Sequence, residues 1–124
     1  MSKVNIPLIA GKIISEKGFV SAIDLFVAIG WLTPEKLREW KAGKIPYLER
    51  VVIANLHKLS SAMKEFRSWA IHSKLKPSLT VYKHKSCKLR FSKSGNPNIE
   101  TAYSTHYVLQ KTQKLESIDT EILA

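Results

Sequence analysis

Apolar residues in the first 75 positions recur at steps of three and four, the spacing of a helix that buries one face. In residues 4–17 (VNIPLIAGKIISEK) they are Ile6, Ile9, Ile13 and Ile14, and Gly18 closes the run; a first helix is expected to begin near Pro7. Residues 20–29 (VSAIDLFVAI) follow, with Ser21 as N-cap, Asp24 three residues on as the partner of a capping box, and Gly30 as the stop. Thr33 then caps a third helix that has Pro34 at its first position and Glu35 at the end where the dipole favours an acid. Leu37 and Trp40 fall on one side of it, Glu35, Lys36, Arg38, Glu39 and Lys41 on the other, and Gly43 ends it.

The longest pattern runs from Tyr47 to Leu75, where Val52, Leu56, Leu59, Met63, Phe66 and Ala70 keep one seam by alternating steps of four and three. An unbroken helix over 47–75 would be roughly 40 Å long at 1.5 Å per residue, more than a domain of this size is wide. Either the helix breaks near Leu59, Ser60 and Ser61, or a second copy of the chain covers part of the seam. After Pro77 the period becomes two: Leu79 and Val81, then Leu89 and Phe91, alternate with polar residues, which predicts two strands joined by a short basic turn. A loop (SKSGNPN), a single helical turn opened by Pro97, and a third strand over 104–109 (STHYVL) complete an antiparallel sheet. The expected fold class is α+β: N-terminal helices with a helix-turn-helix-like corner, one long helix, then a small antiparallel sheet. Residues 1–109 form one domain in this reading, helical over 1–76 and β over 77–109. The acidic segment 110–124, with Leu115, Ile118 and Ile122 at helical spacing, is a loose arm or a helix that needs a partner surface.

Charge adds a partner to this picture. The 124 residues hold 20 Lys and Arg against 10 Asp and Glu, a formal net charge of +10, and residues 61–95 alone carry nine basic residues and one acid. Such an excess favours a polyanion, because Lys and Arg displace the counterions condensed on phosphates. There is no charged-then-apolar leader and no apolar run near the ~20 residues of a membrane span, so a soluble cytoplasmic protein without a membrane partner is expected. A lone cysteine, Cys87, cannot form an internal disulfide. His57, His72, His84 and His106 lack metal-ligand spacing, and no paired carboxylates or nucleophile elbow occur. No metal, cofactor or catalytic residue is therefore assigned; the one enzymatic alternative is a metal-free nuclease using His84 or His106 as acid or base.

Residues 21–46 (SAIDLFVAIGWLTPEKLREWKAGKIP) resemble the helix-turn-helix of phage-repressor-type DNA-binding proteins. The buried Leu before the turn, the turn Gly, the residue opening the recognition helix and its two packing residues correspond to Leu25, Gly30, Thr33, Leu37 and Trp40, and the closing polar-Gly-Lys turn to residues 42–44. The turn here is one residue longer, and Phe26 stands where the family has a small residue. The resemblance implies that Thr33, Glu35, Lys36 and Glu39 face bases while Arg38, Lys41 and Lys44 approach phosphates.

A second candidate surface is cationic. Lys83, Lys85, Lys88, Arg90 and Lys93 are interleaved with Tyr82, His84 and Phe91; a basic ribbon can lie along a backbone, and its aromatics could stack on unpaired bases. The loop from Ser92 to Asn96 offers hydroxyls, backbone N–H groups and a cation to one phosphate. The residues together point to non-catalytic nucleic-acid binding, duplex DNA ahead of RNA, with transcription regulation as one use of it, and to a homodimer. The alternative is a homodimeric protein-interaction module, or an RNA-binding protein, whose basic surface is incidental.

Overall fold

The computed structural model describes residues 5–109, an α+β arrangement of five α-helices, a three-stranded antiparallel sheet and a separate two-stranded hairpin. Helix α1 (Ile6–Lys17) starts on Asn5, whose side chain accepts from the Leu8 N–H, and stops at Gly18 in a left-handed conformation (φ 81°). Strand β1 (Phe19–Val20) leads directly into α2 (Ala22–Ile29), where Ser21 and Asp24 form the expected capping box. Helix α3 (Pro34–Lys41) begins on the Thr33 hydroxyl, which accepts from the Lys36 N–H. In the four-residue connection between α2 and α3 the Phe26 carbonyl accepts from the N–H groups of Gly30, Trp31 and Leu32, and the Val27 carbonyl also accepts from Gly30, so the turn is held by the last carbonyls of the helix it follows.

The long seam breaks, but earlier than Leu59. A 3-10 helix over Leu48–Val51 is followed by an extended Val52, and α4 (Leu56–His72) begins on Asn55, whose side chain caps the Lys58 N–H. Seventeen residues make α4 about 25 Å long at 1.5 Å per residue, a length one domain accommodates. The chain itself buries Val52, Leu59, Phe66 and Ala70, so the length of the seam no longer argues for a second copy.

The sheet departs most from expectation. Strand β2 (Lys76–Leu79) does not pair with the segment of Leu89 and Phe91; it pairs with β5 (Thr105–Val108), and β5 pairs on its other edge with β1, giving the order β1-β5-β2. Leu79 and Val81, whose alternation predicts a strand, are 64% and 53% exposed, and of the two only Leu79 lies in β2. The hairpin is shorter and lies further along, β3 (Lys83–His84) with β4 (Cys87–Lys88). Helix α5 (Pro97–Ser104), two turns where one was expected, runs straight into β5. Leu89, Phe91 and Tyr103 join Phe26, Trp40 and Phe66 in one buried cluster that extends from Ile6 to Tyr103 along the chain. No helix among the described residues is long and apolar enough to cross a membrane.

Candidate nucleic-acid interface

Trp40 decides how the two candidate surfaces are related. It lies on the inner face of α3, fully buried, with its indole N–H donating to the Arg90 carbonyl at 2.8 Å and its ring 4.9 Å from Phe91 and 5.5 Å from Tyr82, centroid to centroid. The residues flanking the hairpin thus pack on the inner face of α3. Two residues beyond the helix, Gly43 takes a left-handed φ of 76°, and a Cβ added there would come within 2.9 Å of the His84 ring. The hairpin consequently rests against bare glycine backbone at the end of α3.

The outward side chains follow from this seating. Thr33, Glu35, Lys36, Arg38, Lys41 and Lys44 are exposed, and Glu39 is half-buried with its carboxylate 3.5 Å from the Lys36 ammonium. On the hairpin, Lys83 and Lys88 are directly opposite each other, His84 faces Cys87, and Lys85 occupies the turn with φ 59°. All three lysines are exposed, and none has a carboxylate within ion-pair distance among the described residues. Like charges directly opposite on a strand pair repel.

The aromatic residues do not reach outward. Phe91 is 2% exposed, stacked on Tyr103 at 5.6 Å, and Tyr82 packs against Trp40 and Phe91. Phe91 presents no face on which an unpaired base could stack, and the half-buried Tyr82 ring is engaged by Trp40, Phe91 and His106. Tyr82 also places its hydroxyl 2.6 Å from His106 Nε2, and the His106 ring stacks on Phe19 at 5.7 Å. Burial is the main cause that holds His106 below its ordinary value of 6.5; Lys17 adds to the effect and Asp24 opposes it. Burial likewise raises the Tyr82 phenol, with Asp24 contributing.

The loop after the hairpin turns its donors inward. Glu100 accepts from the N–H groups of Phe91 (2.9 Å) and Ser92 (2.7 Å) and from the Ser92 hydroxyl (2.5 Å), while Glu49 accepts from the Lys93 N–H (3.0 Å) and the Tyr103 hydroxyl (2.8 Å). The Gly95 N–H donates to the Ser92 hydroxyl and the Asn96 N–H to that of Ser94. The N–H groups of Ser92, Lys93, Gly95 and Asn96 and the Ser92 hydroxyl are therefore occupied by the chain's own oxygens. Burial, followed by the Glu49 contact, pushes the Tyr103 phenol far up. Arg90 also differs from the free cation expected: its guanidinium donates to the Ser92 and Lys93 carbonyls and sits 5.6 Å over the Tyr47 ring. Lys93 keeps an exposed side chain.

Sequence reasoning passed over Glu49, Glu100 and Tyr103, whose partners are up to 54 residues away, and it assigned no role to Lys64 and Arg67. The basic stretch 61–95 is in fact divided: those two line a groove between α4 and α5, and the hairpin lysines cluster beside α3. No three His, Cys, Asp or Glu residues come together as a metal site among the described residues. No family model, curated protein or solved structure matches the chain.

Proposed function

We propose that the protein binds duplex nucleic acid, DNA ahead of RNA, through a surface made jointly by α3 and the β3–β4 hairpin. The observation that carries this reading is the seating of the hairpin on the end of α3, which puts Lys83, Lys85 and Lys88 beside a helix that exposes Lys36, Arg38 and Lys41, with Lys44 exposed just past its end. A helix with exposed polar residues in its first turn is the element a major groove admits, and cations flanking it suit the phosphates on either side. The opposed Lys83 and Lys88 are a local liability without an anion between or beside them, and phosphate relieves it. The burial of Phe91 and the packing of half-buried Tyr82 against it favour duplex over single strand, since single-strand binders use exposed aromatic platforms.

In this reading Thr33, Glu35, Lys36 and Glu39 meet base edges and the remaining cations meet phosphates, which gives binding without bond-making chemistry. The test is a mobility shift on duplex DNA, hairpin RNA and single strand at two salt concentrations. Duplex affinity should fall steeply as salt rises, with a slope of about −0.9 per phosphate contact. Lys36→Ala with Glu39→Ala should redistribute preference among sequences and not lower all affinities alike. Undetectable duplex binding at low salt, or affinity flat with salt, would refute the proposal.

A further inference from the structure

The surface least explained by nucleic-acid binding is the groove between α4 and α5. Two adjoining hollows of about 410 and 600 Å³ share Met63, Arg67, Asn98 and Ala102. Their rims leave large apolar side chains in solvent: Leu56 is 67% exposed, Ile71 60% and Ile99 41%. The cations that border them, Lys64 and Arg67, are three residues apart on α4 and have no salt-bridge partner among the described residues.

We propose that this groove is the docking site of the chain's own segment 115–123, bound as an amphipathic helix. That segment lies outside the described residues, and three features of its sequence and its starting point select it. Leu115, Ile118 and Ile122 recur at the i, i+3, i+7 spacing that fills an apolar groove. Glu116 and Asp119 are also three apart, matching the spacing of Lys64 and Arg67, and residues 115–124 carry three acids and no base. Last, the segment departs from the right place. Val108 pairs with Lys76, the residue after buried Leu75, which with Ile71 and Pro77 lines one end of the groove.

The connection is long enough. Five residues separate Leu109 from Leu115 and span up to roughly 20 Å when extended, whereas Arg67 and Lys64 are about 12 and 16 Å back along α4 from Leu75. A helix of nine or so residues is below the length that is stable alone in water, so its formation depends on the surface it covers. Docking would remove Leu56, Ile99 and Ile118 from water together and set two carboxylates against two cations that have none.

Paramagnetic broadening in the full chain tests this. A nitroxide is placed at Thr120→Cys in a Cys87→Ser background, and methyl spectra are recorded. The methyls of Leu59, Met63 and Ile99 should lose most of their intensity, while those of Leu8 on α1 keep theirs. Lys64→Glu with Arg67→Glu should reduce the broadening several-fold, and adding Glu116→Lys with Asp119→Lys should restore it. Ile118→Ser with Ile122→Ser, which leaves the described core untouched, should abolish it. Uniform or absent broadening would overturn the proposal, as would its persistence in the serine variant. A mixture of spin-labelled chains with isotope-labelled, spin-free chains that shows the same broadening would place the segment on a second copy and overturn docking within one chain.

Discussion

The hairpin over 83–88 and the loop over 90–96 are neighbours in sequence and alike in composition, both basic, polar and short, yet they end in opposite electrostatic states. The hairpin holds three lysines with no acid in reach among the described residues, two of them forced across from each other by the register. The loop carries Arg90 and Lys93, but its backbone is fastened by Glu49 and Glu100, and Arg90 is spent on two carbonyls and the Tyr47 ring. A cation in the sequence becomes a cation available to a partner only when no group of the fold claims it. The loop therefore serves stability, fixing Phe91 against Trp40, and the hairpin is what that fixed base presents.

The largest effect should come from the loop. Glu100→Ala leaves the Phe91 and Ser92 N–H groups and the Ser92 hydroxyl without their acceptor, and Phe91 and Ser92 are almost fully buried. At about 1–3 kcal/mol for each buried donor left unpaired, unfolding by denaturant should show a loss of about 3 kcal/mol or more. A loss under about 1 kcal/mol would mean that the loop is not fastened as described. The hairpin should behave in the opposite way. Lys83→Ala, Lys85→Ala and Lys88→Ala together should leave stability within about 0.5 kcal/mol, while duplex affinity drops by roughly one to two orders of magnitude and the salt slope shrinks by about 2.7, three contacts at 0.9 each. Normal binding by this triple variant would erase the distinction between the two regions.

What could be read in advance follows the range of each interaction. The α+β class, the helix starts at Ser21 and Thr33, and the stops at Gly18 and Gly30 depend on residues within four positions of one another, and they were legible. The pairing of β2 with β5 was not, because Lys76–Leu79 and Thr105–Val108 are almost thirty residues apart and nothing local distinguishes that pairing from a hairpin with the nearer Leu89 segment. Nor was the break at 52–55: Val52 and Leu56 keep the helical period across it, although Leu56 ends up largely in solvent. In the candidate site the exposed lysines were identifiable by charge alone. The closure of the 92–96 loop was not, since the Glu49 carboxylate that accepts from the Lys93 N–H is 44 residues away; the turning of Arg90 to the Ser92 and Lys93 carbonyls is local, but charge alone does not distinguish it from an outward cation.

Gly43 probes whether the hairpin and α3 act as one surface. Gly43→Ala adds a Cβ at 2.9 Å from the His84 ring and puts a side chain on a left-handed φ of 76°, a conformation costing about 1–2 kcal/mol for a residue with a Cβ. Denaturation should show a loss of that size. Because the added methyl pushes on the hairpin, duplex affinity should fall as well, by about threefold to tenfold, through displaced lysines that are themselves unchanged. His84→Ala in the same chain removes the clash but not the backbone strain. It should recover the binding and leave most of the stability loss. Equal binding by Gly43→Ala and the parent would show that the two surfaces work independently.

The smallest effect concerns the stem of the hairpin, where Tyr82 meets His106. Burial lowers the His106 pKa in the folded chain below its ordinary 6.5, so the unfolded chain takes up a proton at a higher pH than the folded one does. Between the two values the unfolded state binds more protons, and stability rises with pH across that window. Read downward, stability should hold above about pH 6.5 and decline as the pH falls below it, with the loss complete once the folded chain also protonates. His106→Gln should remove this component and flatten stability against pH near 6. Tyr82→Phe gives the sharper test: burial, not the hydrogen bond, is the leading cause of the shift, so the variant should lose about 1 kcal/mol at every pH and keep the slope. If Tyr82→Phe abolished the slope instead, the phenol would be setting the His106 equilibrium, and acid would loosen the base of the hairpin while the Glu100 contacts of the loop remained in place.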